Sequence, residues 1–293
     1  MLSCCFAAAT VMVTSCAHGT AAQPGPGPAG PTAAVQAAPA GHAAGPTRSN
    51  RVRMLVAGDQ FTACEQRIER LPDHGPTMAV VGASYTAGVG PGRAALSWAA
   101  DLARTLRWDA VIDGDPGAGY VRTGDNGLGP MTRLLTDERL SGLAPSLVIV
   151  QAGYDDGMVP TDIERQQVLR TVEQIRAEAP HATIGLVTVF TSPARPIPGR
   201  LDRTDSAIVA AARAADPSAI ILDPLTGHWT YQHADGGRGL HPTAAGDAWI
   251  AAKVGAILRA HGILSQPVTT AADAPVICDV GVPARAPGSD TRA

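Results

Sequence analysis

Five short apolar runs, rich in β-branched residues and closed by glycine or proline, constrain this chain more than anything else in it. They are MAVVGAS (78–84), DAVIDG (109–114), SLVIVQAG (146–153), TIGLVTVF (183–190) and AIILDP (219–224). Apolar residues follow one another here instead of alternating with polar ones, as in strands covered on both faces. Between and after the runs lie segments with apolar residues at i, i+3 and i+4: 93–106, 131–142, 161–179, 200–215 and 243–262. Thr161 and Glu164 have the spacing of a capping box at the start of the third. Strand and helix alternate five times, which predicts an α/β fold: a three-layer α/β/α domain on a five-stranded parallel sheet. In such sheets binding sites gather at the carboxyl ends of the strands. Ser84, the loop DGDPGAGY and Gly153 all fall there.

The flanks have a different composition. Residues 20–50 are nearly all Ala, Pro, Gly, Gln and Thr, too poor in apolar surface to offset the entropy of ordering, and read as a tether. Ahead of it, FAAATVMVTSC is a short apolar run ending in Cys16. It resembles a bacterial lipobox, although no Lys or Arg precedes it. The expected organisation is a signal peptide over 1–15 and an acylated Cys16 with its linker over 16–50. The folded domain then covers 51–265, and a Pro- and Ala-rich tail 266–293. The plainer alternative is a cleaved secretory peptide with an incidental cysteine. With Cys16 lipidated, Cys64 and Cys278 remain, either as a disulfide in an oxidising compartment or as two buried thiols. A net charge of -3 and 4% aromatic residues argue against a nucleic-acid partner. No apolar stretch reaches the roughly 20 residues that span a bilayer. Contact with a membrane is therefore expected through the lipid anchor, on the outer face of the cell membrane or envelope, or not at all if the protein is released.

The glycine-rich segment after the first run, VVGASYTAGVG, is not the elbow G-x-S-x-G, because Thr86 stands where the second glycine is needed. Nor is it a phosphate loop, since no Lys-Ser/Thr follows. HExxH and paired CxxC motifs are absent, so neither metal nor cofactor is expected. What remains is an ordered set: Gly82-Ala83-Ser84-Tyr85-Thr86-Ala87-Gly88, then Gly117-Ala118-Gly119, Gly153-Tyr154-Asp155-Asp156, and His241-Pro242 with Gly246. Each string alone is common in turns. Together, at successive strand and helix ends, the set resembles the four blocks of the SGNH (GDSL-type) hydrolases.

That resemblance implies a flavodoxin-like SGNH hydrolase fold and a serine esterase. Ser84 would attack an ester carbonyl while His241 takes its proton. The N–H groups of Ser84 and Gly119 (preferred over Gly117) would hold the oxyanion, with the side chain at 155 as a third donor. The helix after His241 is expected to disfavour the imidazolium and keep the ring a neutral base. Two positions depart from the family pattern. Asp155 stands where asparagine is usual, and an ionised carboxylate cannot donate a hydrogen bond. Arg238 stands three residues before His241, where the family has aspartate; Asp235 is then the candidate to orient the histidine, with a backbone carbonyl as the alternative. Trp229 and Tyr231 are expected to line the substrate pocket and the Pro-rich segment 191–200 to shape the cleft, whereas Trp98 reads as core. Glu164, Arg165, Glu173 and Arg176 read as a solvated helix face. The expected substrate is a carboxylic ester, such as an O-acylated envelope sugar or lipid. The rival is a carbohydrate- or lipid-binding lipoprotein that keeps the fold without turnover.

Overall fold

The computed structural model describes residues 76–191, 199–231, 239–263 and 275–279. All of them lie in one compact unit, Pro46–Ala293. Cys16, Cys64 and Asp235 fall outside the described residues, as do the linker and residues 192–198.

Six strands form the sheet: β1 (Thr77–Gly82), β2 (Asp109–Gly114), β3 (Leu147–Gln151), β4 (Thr183–Val187), β5 (Ile220–Leu222) and β6 (Ile277–Asp279). Their order is β5-β4-β3-β1-β2-β6, and every pair is parallel. The five expected strands are present, four of them shorter than the apolar runs that announced them. The sixth corrects the five-strand expectation. It comes from the segment read as a tail, where three residues too few to show a pattern pair with Ala110, Val111 and Ile112. Asp109 anchors this return, its carboxylate accepting the Val276 N–H at 2.7 Å. Cys278 on β6 is disulfide-bonded.

Alternation along β1 builds two cores. Ala79 and Val81 face one side, with α2 (Met131–Glu138), α4 (Thr161–Glu178) and α5 (Gly199–Ala215). Met78 and Val80 face the other, with α1 (Trp98–Leu106) and α6 (Ala244–Ala260). Each fully buried Leu, Ile or Val contributes about 1.5–3 kcal/mol, so the twin cores supply most of the driving force. The expected helix over 131–142 breaks at Arg139, whose φ of 47° ends α2 and starts the single turn α3 (Leu140–Leu143). The helix predicted from residue 93 opens with a 3-10 turn, Ala94–Leu96, before α1 begins. There the buried Asp247 carboxylate of α6 accepts the Trp98 N–H at 2.9 Å, tying the two helices end to end.

The capping box does not form. Pro160 is the N-cap of α4, without a side-chain cap, and Glu164 turns inward to 1% exposure. Arg165 and Glu173 are solvated as expected, whereas Arg176 is half-buried and paired with Asp216.

The strand order places a topological switch at β1. The chain leaves it for β2 on one side and later returns to β3 on the other. Gly82 is level with Gly114 and Gln151 in the two registers. The loops after β1, β2 and β3 therefore open side by side at the carboxyl edge, where a crevice is expected.

Candidate active site

Ser84 is the second residue beyond β1. Hydrogen bonds from Ala87 N to the Ala83 carbonyl (2.9 Å) and from Val89 N to the Ser84 carbonyl (3.0 Å) wind the next residues into a helix-like turn. Gln151, the last residue of β3, holds this turn from below. Its side-chain oxygen accepts from Ala83 N (3.2 Å), Thr86 N (3.3 Å) and the Thr86 hydroxyl (3.1 Å). Thr86, which breaks the G-x-S-x-G pattern, is thus a positive element of a different turn. Ser84 itself is half-buried, and its N–H makes no hydrogen bond among the described residues.

His241 lies three residues before α6 and is also half-buried. Its ring centroid is 5.6 Å from that of Tyr85, the residue after Ser84. A Cβ on Gly90 would overlap the Pro242 carbonyl, so the serine loop and the histidine loop touch backbone to backbone. Burial pushes the His241 pKa below its ordinary value of 6.5, which keeps the ring neutral. The neutral base expected from the helix start is therefore obtained, but burial is its cause. Ser84 and His241 are not hydrogen-bonded to each other among the described residues; such bonds are often long without substrate and tighten on binding.

The opposite wall is made by the loops after β2 and β3. Asp156, fully buried, accepts from Tyr120 N (2.6 Å), Val121 N (3.4 Å) and Arg122 N (3.1 Å), clamping one loop onto the other. Gly119 lies so close to this carboxylate that any Cβ would overlap it. The Gly119 N–H is already donated to the Arg122 carbonyl at 3.0 Å. This corrects the preference for Gly119 as an oxyanion donor: its role is close packing. Gly117, two residues earlier, is half-buried at a φ of +76°, and its N–H carries no hydrogen bond among the described residues.

Asp155 is half-buried, and its pKa is raised to about 6, chiefly by burial and then by the neighbouring Asp156, with Arg122 opposing. Below that pH it is a neutral acid able to donate. Behind Asp156 sits Glu164, raised to about 9 by burial and by the Asp156 charge. The Tyr120 hydroxyl, buried and without a hydrogen-bond partner among the described residues, lies close enough to feel the charges of both.

Trp229 and Tyr231 are 4% and 1% exposed, which corrects their assignment to the pocket wall. They belong to an aromatic core with Tyr85, Phe190 and Trp249. Trp98 is core, as expected. Sequence reasoning gave no role to Gln151, Asp156 or Tyr85, because a buried polar side chain acting on backbone N–H or carbonyl groups leaves no periodic signal.

Comparison with known proteins agrees with this architecture. The model of the GDSL-like lipase/acylhydrolase family matches residues 80–249. The GDSL lipase Rv0518 of Mycobacterium tuberculosis is 30% identical over 194 residues, covering 62% of this chain and 80% of that protein. Among solved structures, a family two carbohydrate esterase from Clostridium thermocellum, in complex with cellohexaose, aligns with a TM-score of 0.54 at 18% identity, over 66% of each chain. The salicylyl-acyltransferase SsfX3 of a tetracycline biosynthetic pathway aligns at 0.53 and 19%, over 66% of this chain and 57% of its own. Matched along its core from β1 into α6, this chain belongs to the GDSL-like lipase/acylhydrolase family, the SGNH serine hydrolases that act on ester bonds.

Proposed function

We propose that Ser84 is the nucleophile of an esterase and His241 its general base. The observation that carries this is the meeting of the two loops at the switch point: a half-buried serine, its N–H without a hydrogen bond among the described residues, near a histidine held neutral by burial. The Ser84 hydroxyl oxygen attacks the ester carbonyl carbon as its proton passes to the His241 imidazole. The alkoxide leaving group takes that proton and departs as the alcohol. Water, deprotonated in the same way, then releases the acid and restores Ser84. The oxyanion is held by the N–H groups of Ser84 and Gly117, joined by Asp155 when that side chain is protonated. Asp235, the candidate to orient His241, lies outside the described residues, and a backbone carbonyl is the alternative.

The substrate proposed is an O-acylated sugar or lipid of the cell envelope, reached by a domain tethered through a lipidated Cys16. The signal and linker composition supports this location, and the fold shared with a carbohydrate esterase is compatible with the substrate class. The two departures from the family pattern, Asp155 and Arg238, are what favour the rival, a carbohydrate- or lipid-binding lipoprotein without turnover.

A fluorophosphonate probe with peptide mass spectrometry separates the two. Labelling confined to Ser84, and lost in Ser84→Ala, is expected of the esterase. A folded protein that takes no label is the binding module.

A further inference from the structure

Tyr85 and Tyr231 are joined in a way that packing alone does not require. Tyr85, 3% exposed, stacks on Phe190 with ring centroids 4.2 Å apart and planes within 4° of parallel. Phenylalanine would fill that space equally well. The phenol oxygens, however, converge on one backbone atom. Tyr85 donates to the Leu240 carbonyl, Tyr231 reaches the same carbonyl at 2.9 Å, and the two hydroxyls are 2.8 Å apart. With one proton each, either tyrosine can serve Leu240 while the other donates to it, to its partner or, for Tyr231, to the Thr191 carbonyl at 3.5 Å. Burial and the Tyr231 hydroxyl raise the Tyr85 pKa well above 10, so Tyr85 stays neutral and able to donate.

The position of the accepted carbonyl gives the arrangement its meaning. The Leu240 carbonyl and the His241 N–H share one planar peptide unit, so fixing the oxygen fixes the plane from which His241 departs. At the other end, Tyr85 is peptide-bonded to Ser84. One side chain thus bridges the residues next to the proposed nucleophile and next to its base. The backbone contact of Gly90 with Pro242 is a second strut on the far side of His241.

We propose that Tyr85 and Tyr231 are a pair of positioning residues, which hold the His241 loop against the serine turn through the Leu240 carbonyl. The inference rests on the Ser84–His241 reading above. Because two donors serve one acceptor, removing either leaves the other in place, and only the double change releases the loop.

The test compares wild type, Tyr85→Phe, Tyr231→Phe and the double variant in the full chain. The readouts are the rate of fluorophosphonate labelling at Ser84, kcat and KM for p-nitrophenyl acetate, and thermal unfolding. The expected result is a few-fold loss in each single variant and a loss of roughly 10- to 100-fold in the double variant. The loss should fall in kcat with KM unchanged, and exceed the product of the single effects. A folded double variant that labels and turns over like wild type overturns the inference, as does a loss carried by KM alone. If the double variant does not fold cooperatively, the singles decide: kcat equal to wild type in both overturns the proposal, and a few-fold fall at unchanged KM supports it. Wild-type protein that takes no label at Ser84 overturns the nucleophile reading itself, and this inference with it.

Discussion

The two walls of the candidate site are built from different chemistry. The serine–histidine wall is held by phenol hydroxyls, an amide side chain and backbone contact, none of which changes charge between pH 4 and 9. The oxyanion wall is held by acids: Asp155 at the surface, Asp156 clamped on three N–H groups, and Glu164 buried behind them. One wall keeps its shape across the whole range, while the other carries its charge state into the site. What holds the first wall is thus indifferent to pH, with His241 its one titrating group, whereas the second wall is held by groups that titrate.

Four substitutions break or sharpen that contrast. Removing the base altogether is the harshest: His241→Ala is expected to lower kcat by about 10³-fold or more at every pH, measured with p-nitrophenyl acetate. Unclamping the acidic wall comes next. Asp156→Ala strands the buried Tyr120 N–H and frees the more exposed Val121 and Arg122 N–H groups to water, at about 1–3 kcal/mol for a donor left unpaired. It should lower the urea midpoint and reduce kcat by about 10²-fold. A urea midpoint equal to wild type would mean that the three N–H groups find other partners.

Asp155→Asn should act in the opposite direction. On the proposed mechanism, wild-type activity should rise as His241 loses its proton below pH 6.5 and fall as Asp155 ionises through about pH 6. The asparagine stays neutral and donates throughout, so the falling limb disappears and kcat at pH 8 increases by roughly 10-fold or more. A pH–rate profile identical to wild type would show that the side chain does not reach the oxyanion.

The smallest effect is on stability. Folded Glu164 keeps a proton up to about pH 9 that the unfolded chain releases near 4.5. Its contribution is neutral below pH 4.5 and increasingly destabilising as pH rises toward 9. Glu164→Gln should therefore raise the melting temperature at pH 8 and leave it nearly unchanged at pH 4. An equal gain at both would place the effect in packing.

Much of this molecule was legible beforehand, for identifiable reasons. The five runs show because a strand buried on both faces must be apolar throughout, and the motif blocks show because three follow those runs and the fourth opens the last helix. Strand β6 escaped notice because three residues in a Pro- and Ala-rich segment carry no period. The choice of Gly119 over Gly117 failed because two neighbouring glycines look alike until a carbonyl is seen accepting from one of them. Trp229 and Tyr231 were assigned to the pocket because their place in the chain, between the last predicted strand and His241, suggested its rim. Their burial depends on Phe190 and Tyr85, distant in sequence. Glu164 was misread because its spacing from Thr161 fits a cap, and nothing local reveals that the helix faces Asp156.

The return of β6 to the sheet has a consequence for handling the protein. Edge strands invite pairing with other chains, and short ones invite it least. On one side the sheet ends in β5, three residues long. On the other, β2 is six buried residues, and β6 covers its middle. A chain cut after Ile263 would keep every residue proposed for catalysis. It would also leave the β2 ladder open as a template for a second molecule, so a trimmed version should self-associate before it loses activity.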